Sequence, residues 1–221
     1  MKNILLIRHG ESEWNKLNLF TGFKNVELSE QGKEEANKAG QNFKNLNLSF
    51  DIVFTSELKR AQDTAKIILE NLEQWDQLNS ESKIIKNINL NERDYGDLTG
   101  LNKKETAEKF GDEQVHKWRR GYSDKPPNGE SLEDVVNRVK IYFENEIMPA
   151  INRSENNSIL IAAHGNSLRA LLIVMKIYSS DNINTVELST GVPIHILFEN
   201  ESFSIKSVSY THLTLPTILL V

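Results

Sequence analysis

Two short apolar runs constrain this chain more than any other feature: Ile4-Leu5-Leu6-Ile7 and Ser158–Ala163. Neither alternates with polar residues, so each reads as a strand covered on both faces. Both runs end at a histidine followed by glycine, in Arg8-His9-Gly10 and in His164-Gly165-Asn166. Residues 51–55 form a third strand candidate, and the segments between carry helical stripes. Ser29 is placed to cap a helix reaching about residue 44, with Ala36, Ala39, Gly40 and Phe43 on its apolar face. Leu58, Ala61, Ala65, Ile68, Leu69 and Leu72 mark a second helix. Ser131 to Asp134 resembles a capping box, opening a helix through Leu132, Val135, Val136, Val139, Phe143 and Ile147 that should end near Pro149. A helix over 167–178 follows, then strands over 194–198 and 203–208 joined around Asn200. Strands alternating with helices predict an α/β fold: a three-layer sandwich with a mainly parallel central sheet and helices on both faces.

From 75 to 129 the periodicity weakens and the charge density rises. We read a cap insertion over the core at about 92–129, with a short helix near 103–110, rather than a second domain. A chain of 221 residues suits one core, so 1–206 is expected to be a single domain. The last 15 residues, 207–221, contain no Asp, Glu, Lys or Arg. They resemble a gene-assembly scar, an atypical tail set aside from functional reasoning; buried, ordered packing would instead make them a genuine terminal strand.

Lys and Arg total 26 against 31 Asp and Glu, a net charge of −5. That balance argues against a general nucleic-acid binder, so any anion site must be local. The absence of cysteine excludes disulfides, thiolate zinc sites and a cysteine nucleophile, and suits a reducing compartment. The longest apolar run, 170–175, is far shorter than the roughly 18 residues a membrane span needs. A soluble cytoplasmic protein with no membrane partner is expected.

In an open parallel sheet, ligands bind beyond the carboxyl ends of the strands. His9 and His164 both fall there, each before a glycine that permits close backbone approach to a ligand. Arg8, Ser12 and Asn15 add donors nearby. His116 and His195 read as ordinary structural histidines, His212 lies in the tail, and Arg169 reads as an outward helix charge.

Leu6-Ile7-Arg8-His9-Gly10-Glu11-Ser12-Glu13-Trp14-Asn15 resembles the signature of the histidine phosphatase superfamily, and more narrowly of its 2,3-bisphosphoglycerate-dependent phosphoglycerate mutases. The likeness continues through Phe20-Thr21-Gly22, Thr55-Ser56-Glu57-Leu58-Lys59-Arg60-Ala61, Leu90-Asn91-Glu92-Arg93-Asp94-Tyr95-Gly96, Trp118-Arg119-Arg120-Gly121 and Ala162-Ala163-His164-Gly165-Asn166. The resemblance implies that His9 accepts a phosphoryl group, with Arg8, Arg60 and His164 around it and Glu92 as acid/base. It implies a substrate site drawing on Arg8, Gly10, Glu11, Ser12, Asn15, Thr21, Gly22, Arg60, Glu92, Tyr95, Lys103, Arg119, Arg120, Gly165 and Asn166. The implied reaction interconverts 3- and 2-phosphoglycerate, in glycolysis and gluconeogenesis, through a phosphohistidine and a 2,3-bisphosphoglycerate intermediate. That bisphosphate is the implied primer, small phosphorylated glycerates are the substrates, no metal is called for, and a homodimer is the implied assembly.

Three other readings compete. A phosphomonoesterase of the same superfamily would share Arg8, His9, Arg60 and His164, but has less need of Tyr95, Lys103, Arg119 and Arg120. A noncatalytic phosphate-binding module would not require both His9 and Glu92. A metal site from His9, His164 and Glu92 lacks compact ligand spacing.

Overall fold

The computed structural model describes residues 1–206; the tail, and with it the last two residues of the expected final strand, lie outside the described residues. The strands are β1 (Lys2–Arg8), β2 (Ile52–Thr55), β3 (Ile84–Lys86), β4 (Ser158–Ala163), β5 (Pro193–Glu199) and β6 (Ser202–Ile205). They form one sheet in the order β3-β2-β4-β1-β5-β6. The first four strands run parallel, and β5 pairs antiparallel with both β1 and β6. The helices are α1 (Glu13–Lys16), α2 (Glu30–Asn45), α3 (Lys59–Asn71), α4 (Trp75–Ser80), α5 (Lys103–Phe110), α6 (Asp112–Arg120), α7 (Leu132–Tyr142), α8 (Met148–Asn152) and α9 (Gly165–Val174). This is the expected α/β architecture with a mainly parallel sheet.

The apolar runs are continuous because both faces of the central strands are covered. Leu5 and Ile7 of β1 join Leu160 and Ala162 of β4 against Ala39 and Phe43 of α2 and Ala65, Ile68 and Leu69 of α3. Ile4, Leu6, Ile159 and Ile161 turn the other way, onto Val135 and Val139 of α7 and Leu168, Leu171 and Leu172 of α9. All four apolar residues of β1 from Ile4 to Ile7 are fully buried. Each contributes roughly 1.5–3 kcal/mol relative to an exposed side chain.

The capping expectations hold. Ser29 Oγ accepts from Gly32 N–H at the start of α2, and Ser131 and Asp134 form a reciprocal capping box on α7. The final hairpin turns at Asn200 (φ 48°) and Glu201 (φ 60°), a two-residue turn with both residues left-handed.

Two expectations need correction. The helix that starts at Leu132 does not stop near Pro149; it widens into a π turn over Phe143–Ile147 and continues as α8. Phe143, Ile147, Ala150 and Ile151 remain buried, so packing carries the helix onward while the widened turn accommodates a residue without an N–H. The stretch after 75 also adds a short helix, α4, and an edge strand, β3, paired with β2. A three-residue edge strand is too short to show a period of two.

Beyond these, residues 91–129 contribute a 3₁₀ turn over Gly96–Leu98, then α5 and α6. They gather around a separate small cluster of Phe20, Leu98 and Val115, flanked by Tyr95 and Trp118. Among the described residues, no helix is long and apolar enough to cross a membrane.

Candidate active site

Register builds the centre of the site. Arg8 is opposite Ala163 in the β1–β4 ladder, and His9 N–H donates to the Ala163 carbonyl at 3.0 Å. The residue one step past each strand end is therefore a histidine, and the two stand side by side. Their ring centroids are 5.0 Å apart with planes at 58°, close to the spacing of neighbouring strands. On the far side of β4, Thr55 is opposite Ala162. That brings Ser56 to His164, with 2.7 Å between Ser56 Oγ and His164 Nε2.

His9 is held in one tautomer. Its Nδ1 is 2.7 Å from the Gly10 carbonyl, which can only accept, so Nδ1 carries the proton and Nε2 presents a lone pair. Arg60 Nε donates to that Nε2 at 3.3 Å. Burial first, then the charges of Arg60 and Arg8, hold the His9 pKa well below its ordinary value. His164 is likewise held neutral by burial and by Arg60, His9 and Arg8. A neutral imidazole with an unprotonated Nε2 is the form a phosphoryl acceptor requires.

The cavity beside His9 is lined with cations. From the strand ends and α3 come Arg8 and Arg60, and from residues 91–129 come Lys103, Arg119 and Arg120, with Tyr95 among them. Asn15, Thr21, Gly22, Gly165 and Asn166 complete the lining expected from sequence. Burial and the charges of Arg119 and Arg8 push Lys103 down to about 8. Three residues that line this space carry a buried donor without a partner: Arg8 Nε, Arg169 Nε and Thr21 Oγ1. A Cβ on Gly165, in the first turn of α9, would lie 3.3 Å from Arg169 Nη1, 3.8 Å from Glu92 Oε2 and 3.9 Å from Arg8 Nε. The two arginines converge beside a helix N-terminus, an arrangement suited to an oxyanion, with the Glu92 carboxylate at its edge.

Glu92 has one committed and one free oxygen. Oε1 accepts from Arg93 N–H at 2.8 Å and from Asn166 N–H and Nδ2 at 3.2 and 3.0 Å. Burial pushes this carboxyl up. The Arg93 amide, the Arg60 and Arg8 charges and Asn166 outweigh it, leaving the pKa below the ordinary value. Oε2 takes no part in these bonds.

Four expected site residues are not on the cavity wall. His164 stands behind it, against the His9 ring. Gly10 N–H donates to Thr64 Oγ1, Glu11 receives the Ser29 hydroxyl, and Ser12 caps α1. These three shape the loop that carries His9. Conversely, Arg169 is no outward charge. It is 5% exposed, lines the cavity and donates from Nη2 to the Val186 carbonyl at 2.8 Å. Burial and the Arg120 charge push its pKa down to about 10. Leu19, Glu187 and Leu188 also join the lining. His195 is structural, its Nε2 2.8 Å from Asn3 Oδ1, and His116 is exposed on α6. Among the described residues, no group of three His, Asp or Glu side chains is arranged to hold a metal ion.

The family model for the histidine phosphatase superfamily, branch 1, matches residues 4–211. The chain belongs to that superfamily. Within the histidine phosphatase superfamily it is 52% identical over 201 residues to a protein of Bartonella bacilliformis named 2,3-bisphosphoglycerate-dependent phosphoglycerate mutase, covering 91% of this chain and 94% of the relative. A Parvibaculum lavamentivorans protein of the same name is 52% identical over 88% of this chain and 90% of its own length. The superfamily fold recurs in the solved mycobacterial glucosyl-3-phosphoglycerate phosphatase in complex with VO3. That structure has a TM-score of 0.78 at 20% identity, covering 93% of this chain and 98% of the other.

Proposed function

We propose that this protein interconverts 3-phosphoglycerate and 2-phosphoglycerate through phosphorylated His9. The observation that carries the reading is one cavity lined by cations from two parts of the chain. Arg8, Arg60 and the α9 N-terminus surround the nucleophile, while Lys103, Arg119 and Arg120 offer a second set of cations. A phosphomonoesterase needs only the first set. The relatives at 52% identity carry a mutase name, which supports the same choice and, with it, a role in glycolysis and gluconeogenesis in the cytoplasm.

2,3-Bisphosphoglycerate supplies the first phosphoryl group. The unpartnered N–H groups of Arg8 and Arg169 and the surplus of cations fit so highly charged a molecule. His9 Nε2 attacks phosphorus, the N–P bond forms as the P–O bond breaks, and Glu92 Oε2 gives a proton to the departing glycerate oxygen. Entry of an anion offsets Arg8 and Arg60, two of the influences that keep the Glu92 pKa low, so the carboxyl can carry that proton. In the forward half, Glu92 takes the proton of the glycerate hydroxyl as His9 surrenders its phosphoryl group. Return of the other phosphoryl group to His9 completes the exchange. Arg8 and Arg60 stabilise the charge on the transferring oxygens, each worth about 3 kcal/mol in the transition state. The insertion at about 92–129 limits access of water, which would otherwise divert phosphohistidine to free phosphate.

Primed with bisphosphoglycerate, the protein should isomerise 3-phosphoglycerate much faster than it releases phosphate from it. Dominant phosphate release would make it a phosphomonoesterase instead. Labelled bisphosphoglycerate should leave acid-labile, base-stable phosphate on the wild type and none on His9→Ala.

A further inference from the structure

Arg138, in the middle of α7, does not line the cavity and reaches His164 only through its charge, yet it is bonded to the segment that carries Glu92. Its Nη1 donates to the Asn89 carbonyl at 2.7 Å, and Nη2 to the carbonyls of Asn91 and Glu92 at 3.1 and 2.9 Å. The same guanidinium pairs side-on with Glu130, Nε to Oε1 at 2.9 Å and Nη2 to Oε2 at 3.0 Å. Glu130 then closes the circuit on the other side of Glu92. Its Oε2 accepts from Asp94 N–H and its own N–H donates to the Asp94 carbonyl, both at 2.9 Å. The pair is largely shielded, with side chains 16% and 23% exposed.

We propose that the Arg138–Glu130 pair is a positioning device for Glu92, gripping the backbone on both sides so that Oε2 meets the reacting glycerate oxygen. The proposal rests on Glu92 acting as the acid/base. Two independent grips define that carboxylate: α7 holds its main chain through Arg138, and α9 holds Oε1 through Asn166. Neither grip uses Oε2. An ion pair meant only to stabilise α7 would not need three carbonyls from another segment, and those three lead up to the acid itself while Glu130 holds Asp94 just beyond it. A rigid fork of donors suits this task; a lysine ammonium offers no such planar array.

The leaving group separates positioning from general stability. Phosphorylation of His9 by 2,3-bisphosphoglycerate expels an alkoxide that needs a proton, whereas p-nitrophenyl phosphate expels a nitrophenolate that leaves without one. Single-turnover phosphorylation of Arg138→Met should fall by about 10- to 100-fold with the bisphosphate, the scale of a misplaced reacting group, and by under about 3-fold with the aryl ester. Arg138→Lys should recover part of the loss. Glu130→Gln, which keeps the shape of the pair and cancels one charge, gives the same comparison if Arg138→Met does not fold. Equal slowing with both donors, or no slowing with either, in the folded variant would overturn the proposal. Glu92→Gln is the control for the premise. If Glu92→Gln slows both donors alike, the acid/base reading itself fails; if it is selective and the Arg138 and Glu130 variants are not, only the positioning role fails.

Discussion

Arg60 acts on His9 in two ways. Its Nε bonds the unprotonated ring nitrogen, and its charge helps keep the imidazole neutral, while Nη1 and Nη2 anchor it to the carbonyls of Lys24 and Gly22. Arg60→Met removes a cation, so the imidazolium becomes less costly and the His9 pKa rises toward its ordinary value. An NMR titration of the His9 ring should show that rise. Turnover should fall by about 10²–10³-fold, the effect of losing one charge-stabilising donor. The histidines and Arg8 are legible in sequence because each follows or ends an unmistakable apolar run. Ser56 follows a strand as well, but a serine carries no titratable signature to draw notice. Arg169 falls one helical turn after Asn166, yet nothing in the sequence states that this side of α9 is covered. Glu187 and Leu188 come from a loop without periodicity, where only the fold brings them to the cavity.

The loop bearing His9 packs backbone against backbone on α2 at Gly10 and Gly32, beside the bonds that Ser29 and Glu35 make to Glu11. A Cβ on Gly10 would collide with the Gly32 carbonyl, and one on Gly32 would collide with the backbone of Glu11. Neither glycine has an unusual φ; what each needs is the absence of a side chain. Gly32→Ala should therefore destabilise the protein by about 1–3 kcal/mol, as overpacking does, even though alanine favours helices. Urea unfolding would read that loss, and slower labelling of His9 would report the displaced loop. Sequence periodicity identified α2 and its cap but not this contact, since it pairs two glycines from different elements. Strong periodicity likewise revealed α3 and α7, whereas β3 is too brief, and the π turn before Pro149 depends on tertiary packing that outweighs a local helix-breaking signal.

The molecule as a whole concentrates cations in a chain whose net charge is −5, and it buries two uncharged imidazoles among them. Both have depressed folded pKa values, so the unfolded chain binds protons first as pH falls. Their contribution is complete above about pH 6.5 and is lost on acidification. From pH 7.5 to 5.5 the unfolding free energy should drop by about 3 kcal/mol, roughly 1.4 for each ring. His195, lowered mainly by partial burial, adds to it in the same direction. Denaturant midpoints at the two pH values would measure the drop, and His164→Gln should show a markedly smaller one.

Because the distance between His9 and His164 is dictated by the main-chain ladder of two central strands, it does not depend on the identity of rim side chains. The periphery can consequently be rewritten, at Lys103 or Arg119 for instance, while the two imidazoles keep their spacing. A scaffold organised this way separates its centre from its rim, and selection could retune the second without rebuilding the first.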